Sequence, residues 1–296
     1  MLEFKDISIN DMSRINTALN YSQFMGCEYS FSNNMAWKRL GDSRIAFYKD
    51  FYICCSFRSD DNIPRFILPS GSGDYREVFK EMKMYSEKLG KPLRVAGITE
   101  TSLKMLNELF HDSFITETDE GEWDYIYYYD DLLNLPGRKF HSKRNHLARF
   151  NELGAVYAPI TEKDFDDCIT FSVHEYNIKS TASDHSFLAE QYAINTYFNY
   201  YRELGLQGGV IRIDGKVSAF TIGDRLNNDT FCVHIEKADT RYNGIFAGIN
   251  NCFVKSINDK YKFVNREEDL GIEGLRKAKQ SYNPAFLLKK YTVTFK

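Results

Sequence analysis

The tetrapeptide Ile213-Asp214-Gly215-Lys216 narrows the possible folds of this chain more than any other segment. Asp-Gly can take the two positive φ angles of a two-residue primed turn, whose twist matches a pair of antiparallel strands. The turn lies between the strand-like runs Gly209–Ile213 and Val217–Ile222, and a second turn at Asn227-Asn228-Asp229 leads into a third run, Thr230–Glu236. Residues 209–236 therefore read as an antiparallel meander. Ile245, Ile249, Cys252, Phe253 and Ile257 then recur at helical spacing. A strand-like Tyr261–Val264, a helical stretch Ile272–Tyr282 and a strand-like Lys290–Phe295 follow. A meander followed by helix, strand, helix and strand predicts an α/β fold of the α+β kind: a mixed, mostly antiparallel sheet flanked by helices.

The first half repeats the mixture without repeating the sequence. Strands are expected at Arg44–Lys49, Phe51–Phe57, Arg65–Leu68, Leu93–Ile98 and Trp123–Tyr129. Asp74-Tyr75-Arg76-Glu77 has the pattern of a capping box, with Val78, Met82, Tyr85 and Leu89 on one helical face and Gly90 as a stop. Thr161-Glu162-Lys163-Asp164 opens another helix, with Phe165, Ile169, Ser172 and Tyr176 on one face, and Phe187–Leu204 is a third, ended by Gly205. A chain of 296 residues exceeds what one core usually serves. Two domains are expected, 1–120 and 121–296, with the cut somewhere in 115–140, where acidic residues lead into Trp123–Tyr129.

Net charge is −3, so no protein-wide basic field would gather nucleic acid or anionic lipid, and any polyanion contact must be local. The start of the chain carries no secretory pattern and no apolar run approaches the ~18 residues that span a bilayer, so a soluble, cytoplasmic protein is expected. The six cysteines form no CxxC pair and no HExxH occurs. They read as reduced, small apolar residues, with no metal and no tightly bound cofactor expected.

Three segments could carry chemistry. Residues 138–149 hold Arg138, Lys139, His141, Lys143, Arg144, His146 and Arg149 without a single acid, around a buried stripe of Phe140, Leu147, Phe150 and Leu153. Such a face suits phosphate oxygens, or simply solvent. In Val233–Gly244 a strand ends in a loop, with Arg241, Asn243 and Gly244, before a helix whose free N–H groups suit an anion. Arg241-Tyr-Asn-Gly244-Ile-Phe-Ala247 comes close to the Arg/Gln-x-x-Gly-x-Gly/Ala loop that cradles coenzyme A in the GNAT acetyltransferases, but Phe246 stands where a small residue is wanted. Asn265–Pro284 follows a strand and mixes Arg266, Glu268, Asp269, Arg276, Lys279 and Tyr282, at a strand end where α/β active sites gather.

Trp123…Tyr128, Gly137–His146, His234-Ile-Glu-Lys237 with Asn243-Gly244, and Asn265–Lys279 together resemble the stand-alone bacterial relatives of the phosphatidylglycerol lysyltransferase C-terminal domain, over nearly the whole chain. The resemblance implies two GNAT-like domains in tandem, similar to the Fem-type aminoacyltransferases. It implies transfer of an acyl or aminoacyl group to an amine or hydroxyl acceptor without naming that acceptor, and a small molecule, a peptide or a lipid headgroup is expected. Aminoacyl-tRNA is the expected donor, with acyl-coenzyme A as the alternative and a non-catalytic binding module as the rival to any enzyme. The donor would enter where Thr230–Glu236 and Tyr261–Val264 splay apart. Glu236, Glu268 or Asp269 would accept the proton, a backbone N–H near Glu236 would hold the oxyanion, and Lys279 would bind phosphate or developing charge. The remaining candidates for binding substrate are Arg138, Lys139, His141, Lys143, Arg144, Arg241, Asn243, Gly244, Asn265, Arg266, Arg276 and Tyr282. The enzyme reading requires the three segments to converge on one cleft.

Overall fold

The computed structural model describes residues 2–59, 61–179, 184–257 and 261–296. The chain divides into two compact units. The first comprises Met1–Asp124, Glu268–Gly271 and Leu288–Lys296; the second comprises Tyr125–Glu267 and Ile272–Leu287.

In chain order the first unit contains β1 (Lys5–Asp6), α1 (Met12–Ser22), α2 (Phe31–Trp37), β2 (Ser43–Tyr48), β3 (Phe51–Ser56) and β4 (Arg65–Ile67). There follow α3 (Tyr75–Lys88), β5 (Arg94–Ile98), α4 (Glu100–Phe110) and β6 (Phe114–Glu117). The second unit contains β7 (Asp124–Tyr128), α5 (Tyr129–Asn134), α6 (His141–Asn151), β8 (Val156–Pro159), α7 (Phe165–Lys179), α8 (Asp184–Asn199), β9 (Gln207–Ile213) and β10 (Lys216–Arg225). It continues with β11 (Thr230–Ala238), α9 (Ile245–Ser256), β12 (Phe263–Asn265), α10 (Glu273–Gln280) and β13 (Phe286–Leu288), and β14 (Tyr291–Phe295) closes the chain.

The first sheet runs β1-β2-β3-β4-β5-β14-β6, with β4 and β5 parallel. Its core holds Phe66, Phe79, Val95, Ile98 and Val293. The second runs β13-β7-β12-β11-β10-β9-β8, with β11 and β12 parallel, β7 antiparallel to β12, and β8 to β11 an antiparallel meander. One side of its core packs Tyr125, Tyr127, Leu132, Phe231, Phe253 and Val264 together, and another gathers Phe150, Ile211, Ala219, Ile245 and Ile249. Helix α9 contributes to both because its apolar residues face the sheet.

The local turn chemistry acts as the residues dictate. Asp214 and Gly215 adopt φ of 50° and 75°, and Ile213 pairs with Lys216 across them. At Thr161 the capping box is complete: the Asp164 carboxylate accepts from both the Thr161 N–H and its hydroxyl. At Asp74 only half of the box forms. Asp74 accepts from the Arg76 N–H, while Glu77 pairs with Lys49 instead. The side chain of Tyr176 lies outside the described residues. Among those described, no helix is long and apolar enough to cross a membrane.

The division of the chain corrects the expected one. The second domain was expected to run to residue 296, but β14 inserts between β5 and β6 of the first sheet and buries Val293 there. A strand with two sheet neighbours satisfies both edges of its backbone, and no local pattern tells which sheet will supply them.

Candidate functional site

The parallel pairing of β11 with β12 spans Thr230↔Phe263, Phe231↔Val264 and Cys232↔Asn265. Beyond it β11 runs on to Ala238, while the chain after β12 turns away through Glu267, whose φ is 57°. The strands therefore splay, and the gap receives His234 and Glu236 from one side and Arg266 and Glu267 from the other. On its other edge β11 pairs with β10 through Ile222↔Ile235 and Gly223↔Val233, which leaves His234 as a bulged extra residue. A bulge re-aims the side chain it carries. Gly223 makes this bulge possible: a Cβ there would lie 2.2 Å from the Cys232 carbonyl oxygen.

Arg266 and Glu236 form the centre of the site. Arg266 Nη2 lies 2.7 Å from Glu236 Oε1, and the two side chains are 11% and 12% exposed. Asn250 Nδ2 donates to the second carboxylate oxygen at 3.3 Å. The guanidinium sits 4.9 Å from the Tyr282 ring centroid. Lys143, from α6, places its ammonium 3.9 Å from the same ring. Burial, reinforced by the charge of Arg266 and opposed by Glu236, lowers the Lys143 pKa to about 8. Two cations thus face one carboxylate. Arg266 Nη1 and Asn250 Oδ1 are buried without a hydrogen-bond partner. Leaving such groups unmatched costs ~1–3 kcal/mol each, so a ligand offering an acceptor to Arg266 and a donor to Asn250 would relieve the cost of both.

A second network adjoins it along β11. His234 Nδ1 lies 2.8 Å from Glu267 Oε1, and Nε2 lies 2.9 Å from Asp224 Oδ1. Burial opposes a charge on this ring, but Tyr197, Cys232 and Asp224 outweigh it and raise its pKa well above the usual histidine value. Cys232, His234 and Glu267 bring three metal-type ligand atoms within 4.8 Å of one another. In the first unit Cys27, Asp124 and Glu268 do the same, but there a buried lysine supplies the positive charge: Lys290 Nζ is 2.7 Å from Asp124 and 2.8 Å from Glu28.

The three segments expected to converge do meet in the second unit, through Lys143, Glu236, Arg266 and Tyr282. Several of their residues do not join them. Glu268 belongs to the first unit and accepts from the Cys27 thiol at 3.2 Å, and buried Asp269 there accepts from the Gly271 N–H. Neither is gathered with Glu236. Lys279 is buried and donates to the carbonyls of Arg266 and Glu267, so it braces the loop instead of facing a ligand. Asn265 is buried and accepts from the Glu267 N–H. Arg144 donates to the carbonyls of Leu135 and Gly137, and Lys139 pairs with Asp131. His141 contacts Asn145, Arg138 is exposed in the turn before α6, Arg149 is exposed on α6, and Arg276 is half-buried on α10. Asp224, Asn250 and Tyr197 escaped sequence reading, because their partners lie on other elements.

Arg241 forks onto Asp239, and Asn243 is exposed in the loop before α9. Gly244 has a φ of 89°, and a Cβ there would lie 2.1 Å from the His146 carbonyl oxygen. Helix α6 therefore backs the turn that would cradle a pyrophosphate, and Phe246 adds bulk beside it. Gly244→Ala is expected to destabilise the protein by more than ~1 kcal/mol, measured by denaturant unfolding, through the clash and the positive φ together. Parent-like stability would mean that α6 does not pack there.

The chain matches the family model described as phosphatidylglycerol lysyltransferase, C-terminal, over residues 20–294. It is similar to a solved conserved protein of unknown function from Bacteroides thetaiotaomicron, with 34% identity, all of both chains covered and a TM-score of 0.95. It resembles L-PGS from Bacillus licheniformis at 14% identity, covering 96% of this chain and 91% of that one, with a TM-score of 0.66. It also resembles FemX at 9% identity, covering 99% and 97%, with a TM-score of 0.67. At these last two identities the likeness is one of fold, and the fold is two GNAT-like domains in tandem. A curated relative, an uncharacterised protein of Mycoplasmoides gallisepticum, is 24% identical over 182 residues; the match spans 59% of this chain and 56% of that protein.

Proposed function

The chain belongs to the phosphatidylglycerol lysyltransferase C-terminal family, and from that premise we propose that it moves an aminoacyl group from aminoacyl-tRNA onto an amine or hydroxyl acceptor. Family and fold together indicate a GNAT-like acyl or aminoacyl transferase. The observation that carries the finer reading is the buried guanidinium of Arg266, with one unpartnered N–H, in the gap between β11 and β12.

The ester carbonyl of the donor lies against Arg266 Nη1. A neutral amine or a hydroxyl attacks the carbonyl carbon, and its oxygen takes up negative charge beside a fixed cation in a dry site. Glu236 holds the guanidinium in place and is itself engaged by Asn250, so it positions the cation and does not take the proton. Lys143, with a pKa of about 8, accepts the proton of the attacking group in its neutral form. The acyl C–O bond to the tRNA ribose then breaks, and the departing oxygen takes that proton back from Lys143. Asn250 Oδ1 accepts from the amino group of the aminoacyl moiety.

The crowded Gly244 turn argues against coenzyme A, and the exposed Arg138 and Arg149 suit phosphates outside the gap. Thermal unfolding with each donor tests the ordering. A charged tRNA at 100 times its dissociation constant should stabilise the protein by ~2.7 kcal/mol, with coenzyme A giving no shift. A shift with coenzyme A and none with charged tRNA would reverse the ordering. No shift with either would favour a non-catalytic module.

A further inference from the structure

We propose that Cys232, His234 and Glu267 bind a thiophilic divalent ion of the zinc class, with Asp224 orienting the histidine from behind. The ligand set is a thiolate, an imidazole nitrogen and a carboxylate, and it is brought together from two strand ends. Cys232 and His234 lie two residues apart on β11, with His234 in the bulge, and Glu267 comes from the turn after β12. Glu267 Oε1 is 2.8 Å from His234 Nδ1 and 3.8 Å from Cys232 Sγ. Zinc bonds of ~2.0–2.3 Å in a tetrahedron put neighbouring ligand atoms about 3.4 Å apart, so small rotations suffice to close these three on one ion.

Three further observations support a metal over a plain hydrogen-bonded cluster. Asp224 Oδ1 holds the far ring nitrogen at 2.9 Å, the carboxylate–histidine arrangement that fixes a ligating tautomer. Tyr197 stacks on the imidazole at 5.5 Å and 10°, and its fully buried hydroxyl has no hydrogen-bond partner. A buried hydroxyl left unmatched beside such a set points to a missing ligand or to the water that an ion would carry. Glu267 is also held from three sides in its left-handed conformation. Its N–H donates to Asn265 at 2.7 Å, and its carbonyl accepts from the Tyr125 N–H and from Lys279, each at 3.1 Å. Strain of this kind persists where the surroundings over-determine it, and here it aims the carboxylate at the ring.

Thiolate selects zinc-like ions over magnesium or calcium. The Glu267 side chain is 17% exposed, against 0% for the histidine, and marks the entry side. The ion would clamp β11 to the end of β12 at the point where their backbone pairing stops.

The test uses the full chain, stripped with EDTA, loaded with cobalt(II) and desalted. About one cobalt per chain is expected, with an intense near-ultraviolet thiolate-to-cobalt band. Cys232→Ser, nearly isosteric, should lose that band while keeping the parent's circular dichroism. Asp224→Asn should keep the band and bind cobalt about 10–100-fold more weakly. Failure of the folded parent to retain cobalt would overturn the proposal, as would a band that persists in Cys232→Ser.

Discussion

Arg266→Met is expected to lower kcat for aminoacyl transfer about 10²–10³-fold, the usual loss when one fixed oxyanion donor is removed. The same change should cost stability. Arg266 and Glu236 are both largely buried, and removing the guanidinium leaves Glu236 with the Lys143 ammonium as its nearby cation, at a cost of up to ~3–5 kcal/mol. The two effects separate in a second variant. Arg266→Met combined with Glu236→Leu replaces the pair by apolar groups and should recover most of the stability, because a buried pair and well-packed apolar residues are often close in free energy. It should recover none of the rate. Urea unfolding of parent, single and double variants gives the first quantity, and single-turnover transfer from a charged tRNA gives the second. A double variant as stable and as fast as the parent would remove Arg266 from the chemistry.

What could be read from the sequence follows the range of the forces involved. The Asp214-Gly215 turn, the helix start at Thr161 and the meander of β9–β11 are decided by neighbours in the chain, and they stood where the residues implied. Lys143, Glu236 and Arg266 were legible as candidates because charge concentrated at a strand end or on one helix face is visible in a single string. Their mutual contacts were not, since they join α6, β11 and the turn after β12. Glu268 and Asp269 illustrate the limit. They continue the same polar run as Arg266, yet the chain passes between units after Glu267, and their carboxylates answer to Cys27 and Gly271. Lys279 failed for another reason: a lysine in a polar loop reads as solvated or ligand-facing, and only the carbonyls of residues 266 and 267 make a buried brace of it. Asp224 lies ten residues from His234, and nothing local distinguishes it from a surface acid.

Lys143 gives the prediction with the clearest pH signature. Its pKa of about 8 is set first by burial, with Arg266 adding repulsion. If its neutral form accepts the proton of the attacking group, kcat should rise through pH 8 and level off above it. Lys143→Arg keeps the positive charge but cannot lose it near neutral pH, so its rate should lack that limb and fall by at least ~10². An amine acceptor titrates in the same range, so a hydroxyl acceptor gives the cleaner profile. The stability arm has a fixed sign. The unfolded chain binds the lysine proton up to its ordinary pKa of 10.5, the folded chain only up to about 8, so the unfolded state holds more protons between the two values. Stability must then rise with pH across that window, and below pH 8 the folded state carries the full cost of the buried ammonium. Lys143→Met removes that cost. It should be more stable than the parent at pH 7, with the difference closing as pH approaches 10.5, while its transfer rate stays low throughout. Loss of rate without the stability crossover would place Lys143 on the substrate but not in a desolvated pocket. A variant with the parent's rate and pH profile would leave the proton without its acceptor, and the mechanism would need another base.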